Sequence, residues 1–356
     1  MRVETHQGES AFETLSAQWD ELFLASGASP FQSRIWMHAW FKEYGSGKTP
    51  FVLSFWEGND LVGLFPLVKT RAPWRTIRSM GIGPSDYLSI LSMPEEARKV
   101  AEEALELLRI HKKVDLLDLH QIQETDPLAH LVASDWEEQA KCFVLNLPKS
   151  FVELRAGLNK SLRYEVDRRQ KGPYKEGRAQ ILTASDAATG LQYWEIFKQL
   201  HESRWKKRGL PGAFIGKAGR FQARVVPDLV EAGILKMSVL FLDQKPVGAL
   251  YIMHSGSTAY FYQSGFDPEA KAASPGTVLV AHALEHAVNE GLGTFDFLRG
   301  DEPYKARWKP ETLRKNVRFT MALNRSMGEI GASVNRVGFK IEQSIRKRLE
   351  GKGLLA

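Results

Sequence analysis

Two stretches of the chain share one pattern, and this internal repeat restricts the possible folds more than any other feature. Each reads as a strand, a polar turn, Val-Gly and a second strand: SFWEGNDLVGLFPL in the first half and LFLDQKPVGALYI in the second. The order of elements around both hairpins is also the same, with helices, antiparallel strands, a helix and a further strand. This repetition predicts two similar domains that meet near Pro148.

The length agrees with two domains, because single hydrophobic cores rarely extend beyond about 250–300 residues and this chain has 356. Hydrophobic residues make up 43% and charged residues 25%, a composition that excludes disordered and fibrous proteins. We therefore expect domains at 1–148 and 149–325, followed by a basic amphipathic helix at 326–356.

The hydrophobic periodicity predicts an α/β (α+β) fold of two similar halves, each with helices, antiparallel strands, a helix and a further strand. In the first half, helices are predicted at 10–26, 34–44 and 95–111, and strands at 51–56, 61–68, 74–80, 86–91, 114–121 and 141–147. In the second half, helices are predicted at 150–171, 186–207, 218–231 and 276–291, and strands at 179–184, 235–242, 247–254, 259–265, 294–298 and 316–323.

The net charge and the distribution of apolar residues indicate where the protein is located and which partners it can bind. The formal net charge of +6 fits a phosphorylated ligand, an anionic membrane face or nucleic acid, and does not choose among them. The sequence begins without a signal region, and no apolar run approaches the roughly 18 residues of a membrane span. One cysteine, Cys142, excludes an intrachain disulfide framework. We expect a cytoplasmic protein, and peripheral association with the inner membrane face stays open.

The helix that begins after Ser274-Pro275-Gly276 lies in a polar and aromatic part of the chain. A helix start leaves backbone N–H groups unpaired and carries a positive partial charge, so it can accept a pyrophosphate. The alternative is that Ser274 is an ordinary N-cap with proline at the first helical position.

Several segments resemble bacterial acetyltransferases of the Gcn5-related (GNAT) superfamily, of the CelD/BcsL type associated with cellulose and exopolysaccharide biosynthesis. The resemblance covers roughly residues 12–325 and rests on WMHAWFKEYG, LVGLFPLVK, GPSDYLSIL, LNKSLRYEVDRR and FYQSGFDPEAKAASPGTVLVAHALEHAVNEGLGTFDFLRGDEPYKARW. The resemblance implies two tandem acetyltransferase-like domains, each a mixed, mostly antiparallel sheet flanked by helices. A more distant likeness is to FemA/FemB-type aminoacyl transferases, which also carry two such domains.

The resemblance implies that acetyl-CoA or another acyl-CoA binds as co-substrate between strand 259–265 and the helix after it. The residues implied are Ser274, Gly276 and Thr277 for the pyrophosphate and Tyr262, Gln263 and Ser264 beside the pantetheine arm. Eight residues separate Gly265 from Ser274, where the superfamily has a compact loop. This difference keeps an aminoacyl-tRNA donor open as well.

Acyl transfer from a thioester needs a base for the acceptor and an acid for the leaving thiolate. Asp296, expected at the carboxyl end of a strand, and Asp301 and Glu302 in the next loop are candidate bases, and Tyr304 is the candidate acid. Arg299, Lys305 and Arg307 are candidates to bind an anionic acceptor or the donor phosphate. The alternative for this loop is an internal ion-pair network that pins a turn.

In the first half, the resemblance suggests that Asp86 and Tyr87 face the acceptor, while the alternative is a turn capped locally by Asp86.

His282, Glu285 and His286 match an inverted zinc-protease spacing, but a catalytic zinc needs a third protein ligand, so we expect no metal.

The tail at 333–350 carries one apolar stripe with basic residues around it: Val334, Val337, Ile341, Ile345 and Leu349. Such a helix typically packs its stripe on the folded body, and the alternative is a membrane-surface helix.

Three functions stay open at this point. The first is acyl transfer from CoA to an amine or hydroxyl of a sugar, polysaccharide or cell-envelope precursor. The second is a FemA/FemB-like aminoacyl transfer from charged tRNA. The third is a non-catalytic accessory protein of polysaccharide synthesis that binds a glycan.

Overall fold

The computed structural model describes residues 1–71, 73–111, 113–132, 136–206, 212–300, 302–324 and 326–351. The chain forms two compact units. Unit 1 comprises Met1–Lys141 and Arg314–Ala356, and unit 2 comprises Cys142–Leu313.

Unit 1 contains the first set of elements along the chain and the last two. Its helices are α1 (Ala11–Thr14), α2 (Ser16–Ser26), α3 (Arg34–Tyr44), α4 (Ala97–Arg109), α5 (Pro127–Leu131) and α12 (Met327–Gly351). Its strands are β1 (Arg2–Gln7), β2 (Lys48–Glu57), β3 (Asp60–Thr70), β4 (Thr76–Ser79), β5 (Leu91–Ser92), β6 (Leu116–Gln123) and β13 (Thr312–Ala322, from Arg314).

The sheet of unit 1 has the strand order β1-β2-β3-β4-β6-β13, and β5 pairs with β3. Neighbours are antiparallel except β4 and β6, which are parallel. One face packs on α4, whose apolar residues at helical spacing, such as Val100, Ala104 and Leu108, are fully buried. Burial of this stripe holds the helix on the sheet.

Unit 2 contains the elements from the middle of the chain. Its helices are α6 (Phe151–Gly157), α7 (Lys160–Val166), α8 (Ala187–Lys206), α9 (Lys217–Glu231), α10 (Pro275–Asn289) and α11 (Pro303–Ala306). Its strands are β8 (Ala179–Thr183), β9 (Leu235–Leu242), β10 (Lys245–Ser255), β11 (Thr258–Phe266) and β12 (Thr294–Arg299), with the part of β7 (Trp136–Asn146) that begins at Cys142.

The sheet of unit 2 repeats the pairing scheme of unit 1, with the order β8-β9-β10-β11-β12-β7. Again one neighbouring pair, β11 and β12, is parallel and the others are antiparallel. One face is covered by α10, whose buried residues, such as Val278, Leu279 and Leu284, join the core of this unit. The predicted architecture, a mixed and mostly antiparallel sheet flanked by helices in each half, is confirmed.

The unit boundaries differ from the expected division at Pro148 and residue 325. The difference arises because β13 pairs antiparallel with β6, from Asn316↔Gln123 to Ala322↔Leu116, and so completes the sheet of unit 1. In the same way, β7 from Cys142 onwards pairs with β12 and belongs to unit 2.

Two predicted elements take a different form. The strand expected at 86–91 is a buried loop that reaches β5 only at Leu91. The helix expected at 150–171 is interrupted at Leu158, whose extended backbone separates α6 from α7. The side chain of Asn159 then accepts a hydrogen bond from the Leu162 N–H at 2.8 Å and starts the second helix.

The expected terminal helix is present as α12, but it does not pack through its apolar stripe. Val334, Val337, Ile341 and Ile345 are all more than half exposed, and Leu349 lies outside the described side chains. Instead, α12 is seated on unit 1 through Ala332 and Phe339, which are buried. The prediction that the stripe packs on the body is therefore wrong.

Candidate active site

The central feature of unit 2 is a gap between β11 and β12. The two parallel strands are paired from Thr258↔Thr294 to Tyr260↔Asp296. From Phe261 onwards β11 stays paired with β10 on its other side, as far as Phe266. Among the described strand pairings, the edge of β11 that faces the gap has no partner strand beyond Tyr260.

The gap leads to the N-terminus of α10. The first intrahelical hydrogen bond runs from the Val278 N–H to the Ser274 carbonyl, so the N–H groups of Gly276 and Thr277 point out of the helix. Ser274 has left-handed backbone angles (φ 48°, ψ 48°), and its side chain makes no capping hydrogen bond. Its hydroxyl instead accepts a hydrogen bond from Arg168 at 3.0 Å. Ser274 is therefore not an ordinary N-cap, and this helix start combines exposed N–H groups with a nearby guanidinium.

A cavity of about 450 Å³ occupies this position. Its walls come from α7, β11, α10, α11 and the residues just after α11. The lining residues are Glu165, Phe261, Ser264, Phe266, Ser274, Pro275, Gly276, Thr277, Val280, Tyr304, Arg307 and Trp308. A volume of this size, mostly apolar with a few polar groups, is typical of a small-molecule site.

The charged residues of the cavity form one bridge. Glu165 accepts a hydrogen bond from the Thr277 hydroxyl at 3.0 Å and another from the Arg307 guanidinium at 2.6 Å. Glu165 and Arg307 are both partly exposed, at 25% and 37% of their side chains. A carboxylate thus lies within hydrogen-bond reach of the start of α10, where a ligand phosphate would compete with it for the same donors.

Six of the residues singled out from the sequence line this cavity. They are Ser264, Ser274, Gly276, Thr277, Tyr304 and Arg307. Tyr304 packs against Phe261 with 5.9 Å between the ring centroids, which places its ring at the gap between the strands.

Tyr262 and Gln263 have other surroundings. The Tyr262 hydroxyl accepts a hydrogen bond from the Gln222 side chain at 3.1 Å, and its ring lies 4.9 Å from that of Tyr251. Because side chains alternate along a strand, Tyr262 lies on the opposite face of the sheet from Phe261. The Gln263 side-chain oxygen Oε1 accepts a hydrogen bond from the Ser264 N–H. Neither residue is among the described residues that line the cavity.

Asp296 lies inside β12 and not at its carboxyl end. It is fully buried, and its carboxylate accepts a hydrogen bond from the Leu298 N–H at 2.7 Å. Its register partner is Tyr260, the last pair before the gap opens. Asp301 lies outside the described residues. Arg299 is half-buried and is not among the described residues that line the cavity.

Lys305 is a buried ammonium that supports a turn. Its Nζ donates to the carbonyl of Arg299 at 2.8 Å and forms an ion pair with Glu302 at 2.7 Å. Further bonds reach the carbonyls of Leu298 and Gly300. These partners occupy its donors, so the expectation that Lys305 binds an anionic acceptor is replaced here by the ion-pair alternative.

Asp86 and Tyr87 are both buried in unit 1, at 3% and 2% exposure. The Asp86 carbonyl accepts a hydrogen bond from Asn316, and the Tyr87 ring packs edge-on against Phe31. Their burial corrects the expectation that these side chains face an acceptor directly, because both take part in the packing of unit 1.

The other lining residues were not candidates from the sequence: Glu165, Phe261, Phe266, Pro275, Val280 and Trp308. They come from α7, β11, α10 and the residues after α11, and no spacing in the sequence connects these segments. Arg168 belongs to a basic segment whose charge pattern is typical of a solvated helix face, with contact with a phosphorylated acceptor or CoA as the alternative.

Among the described residues, no group of three or more His, Cys, Asp or Glu side chains could hold a metal ion. Within the ranges that the structure describes, no helix is both long enough and apolar enough to cross a membrane.

Residues 160–306 match the family model of the acetyltransferase (GNAT) domain. The match includes both walls of the gap and the start of α10. No curated protein matches the chain in sequence.

Solved structures with similar folds span nearly the whole chain. A crystal structure of FemX has a TM-score of 0.65 at 12% identity and covers 93% of this chain and 100% of its own. The C-terminal domain of a putative lysylphosphatidylglycerol synthetase from Agrobacterium fabrum has a TM-score of 0.57 at 12% identity and covers 92% and 97%. A tandem GNAT protein from the clavulanic acid biosynthesis pathway has a TM-score of 0.50 at 15% identity and covers 91% and 100%. The predicted fold class, two tandem acetyltransferase-like domains, is thereby confirmed.

Proposed function

We propose that unit 2 transfers an acetyl or other short acyl group from CoA to an amine or hydroxyl of a sugar or cell-envelope precursor in the cytoplasm. The observation that carries this proposal is the gap between β11 and β12, which opens at Tyr260↔Asp296 and leads to the N-terminus of α10. The resemblance to the CelD/BcsL type supports the choice of acceptor class.

The donor is expected to bind along the gap. The N–H groups of Gly276 and Thr277 would hold the pyrophosphate, and Arg168, already bonded to Ser274, would add a cationic contact. The exposed edge of β11 would pair with the amide groups of the pantetheine arm, and Phe261 and Val280 would pack against its apolar parts.

The chemistry requires two proton transfers. As the acceptor attacks the thioester carbonyl and the C–S bond breaks, a base takes the acceptor proton and an acid protonates the leaving thiolate. Tyr304 is the proposed acid because it lines the cavity at the gap. Asp296 is the proposed base because it marks the point where the strands separate.

The substitution Thr277→Glu tests the donor site. A carboxylate in the first turn of a helix stabilises the helix, so the fold should be retained, whereas its charge would repel a pyrophosphate. The wild type should be stabilised by acetyl-CoA in a thermal-shift assay and the variant should not, with at least a tenfold loss of affinity.

Val152→Glu is the matched control for this experiment. Val152 is 75% exposed in the first turn of α6, so the control adds the same charge to the same kind of position in the same unit. Equal acetyl-CoA affinity of Thr277→Glu and the wild type would refute the proposed donor site.

A FemA/FemB-like aminoacyl transfer is the second candidate function. The observation in its favour is the similarity to FemX over 93% of the chain, with a higher TM-score than that of the tandem GNAT protein. A user of charged tRNA should show RNA affinity that falls steeply with salt concentration and no stabilisation by acetyl-CoA. Stabilisation by neither ligand would favour the accessory function.

A further inference from the structure

The outer face of α12 carries a continuous apolar row. The row consists of Ile330, Val334, Val337, Ile341 and Ile345, each between 52% and 58% exposed. Steps of three and four residues keep these side chains on one side of the helix. At the rise of an α-helix, the row is roughly 22 Å long. We call it the apolar row of α12.

The opposite side of the same helix is fixed to unit 1. Ala332 and Phe339 are buried, and the Phe339 ring stacks on the Arg318 guanidinium at 5.1 Å. Gly331 lies against the Trp74 ring, where an added Cβ would be 3.1 Å from its nearest atoms. The exposure of the apolar row is therefore a consequence of how the helix is seated.

Basic side chains border the row. Arg336 and Lys340 directly precede Val337 and Ile341, so both lie on the same border of the row, and Arg348 comes one helical turn after Ile345. All three are exposed, although one Arg336 nitrogen also donates to the Thr320 carbonyl at 3.2 Å. Two acidic residues also flank the row. Glu329, in the first turn of α12, lies on the same border as Arg336, seven residues later, and Glu342 lies on the other border.

The other border reaches the turn between β3 and β4. Trp74 in this turn is partly exposed, and Arg71 and Arg75 on either side of it are exposed. Arg75 is paired with Asp115. The Trp74 ring packs against Gly331 of α12 and so lies beside this border of the row. A tryptophan between an apolar surface and basic residues suits the boundary between lipid chains and headgroups.

We infer that the apolar row of α12, with Trp74 and the basic border formed by Arg336 and Lys340, binds the surface of an anionic lipid bilayer. A helix of this kind lies in the membrane plane with its apolar face among the headgroups, and basic residues attract anionic lipids. A second copy of the chain fits less well, because five side chains in one row are few beside the roughly 20–30 residues that each partner contributes to a stable interface.

Vesicle flotation tests this inference with the full chain. Vesicles of phosphatidylcholine with about one-third phosphatidylglycerol are compared with pure phosphatidylcholine, since anionic lipid should strengthen binding. The wild type should float with the anionic vesicles, and the double variant V337E/I341E should lose at least tenfold in affinity. The milder V337A/I341A should lose several-fold, and R336Q/K340Q should weaken binding to the anionic vesicles only.

The matched control is L24E/V152E, which replaces two other exposed apolar residues, 76% and 75% exposed, with the same change in charge. It should bind vesicles as the wild type does. Equal binding of V337E/I341E and the wild type would overturn the inference, as would equal wild-type binding to neutral vesicles. Absence of wild-type binding to the anionic vesicles would also overturn it. If sedimentation then showed a wild-type dimer that V337E/I341E dissociates, the apolar row would bind a second copy of the chain instead.

Discussion

The two units contain the same gap in the sheet, and only one of them leaves it open. In unit 1, β4 and β6 are parallel and paired from Thr76↔Leu116 to Arg78↔Asp118. In unit 2, β11 and β12 are paired over the same number of residues and end at Tyr260↔Asp296. Asp118 and Asp296 therefore occupy equivalent positions, and both are fully buried.

The chain takes a different course after the parallel pair in each unit. In unit 1, the loop after β4 turns inward, so that Ser85, Asp86, Tyr87 and Leu88 are buried, and the Leu88 N–H donates to the Gln121 carbonyl at 2.9 Å. In unit 2, β11 continues to Phe266 beside the cavity. The same framework thus supports a packed core in one unit and a ligand-sized cavity in the other.

The helices that follow the two gaps, α4 and α10, also differ in the charge at their N-termini. The start of α4 is preceded by Glu95 and Glu96, whose negative charges already complement the helix dipole. The start of α10 has serine, proline, glycine and threonine, and no acidic residue in its first turn. An anionic ligand is therefore favoured at α10 and disfavoured at α4.

The largest expected effect is a difference in the loss of stability when each of the two buried aspartates, Asp118 and Asp296, is replaced by asparagine. Burial alone would raise the pKa of Asp118, but His120, Arg318 and Arg78 together hold the pKa below its ordinary value. Asp118→Asn would leave the buried Arg318 without its counterion and should reduce the free energy of unfolding by about 3–5 kcal/mol. Asp296→Asn keeps an oxygen for the Leu298 N–H, so we expect a smaller loss of stability.

Urea denaturation of both variants measures this difference. Asp296→Asn should in addition lower acyl transfer at least tenfold, while retaining acetyl-CoA binding, if it is the base. Equal loss of stability in the two variants would show that the equivalent aspartates are held in the same way, and would break the comparison at this point.

The second prediction concerns the glycine shared by the two hairpins. An added Cβ at Gly63 would lie 2.7 Å from a methyl of Val100 in α4, and one at Gly248 would lie 2.9 Å from a methyl of Leu279 in α10. Gly63→Ala and Gly248→Ala should each lower stability by about 1–3 kcal/mol through overpacking.

Only Gly248→Ala should affect the donor, because its Cβ also meets Pro275 at 3.0 Å, in the first turn of α10. We expect at least a tenfold loss of acetyl-CoA affinity by calorimetry for this variant and none for Gly63→Ala. Equal loss in both would place the donor elsewhere, whereas loss in Gly248→Ala alone would sharpen the contrast between the two helix starts.

The smallest expected effect is a pH dependence confined to unit 1. The hydrogen bond from Arg75 is the main reason that the pKa of Asp115 is lowered to about 2. Since the unfolded carboxyl titrates near about 3.9, its contribution to stability is present above about pH 4 and is lost as the pH falls toward about 2.

Asp115→Asn should therefore be less stable than the wild type at about pH 5 and should differ less from it near about pH 2.5. Urea midpoints at the two pH values measure this. A difference that stays constant with pH would mean that the carboxylate charge at Asp115 does not contribute.

Much of the fold could be predicted from hydrophobic periodicity. The helix expected at 34–44 is α3, and both repeated hairpins are present, because their apolar residues and polar turns determine these elements locally. The strand β1 was missed, since Arg2–Gln7 is mostly polar and pairs with β2 at the end of the sheet order. The exposure of the apolar row of α12 was missed because the seating of a helix depends on tertiary contacts that periodicity does not contain.

The candidate site was predictable where one segment forms it. Ser274, Gly276 and Thr277 belong to a single helix start that the sequence shows, and Tyr304 lies a few residues after the strand that borders the gap. The contribution of Glu165 depends on the placement of α7 against α10, and the support role of Lys305 depends on the carbonyls of a folded turn. Such contacts arise between segments that are distant in sequence, so spacing cannot reveal them.

The position of β13 has a consequence for biosynthesis. Because the strand that covers the edge of β6 is encoded after all of unit 2, unit 1 can complete its sheet only after unit 2 has been translated. Until then β6 offers an unpaired edge, which is the kind of surface that promotes aggregation. The translation of unit 2, more than that of the first half, would thus time the maturation of unit 1.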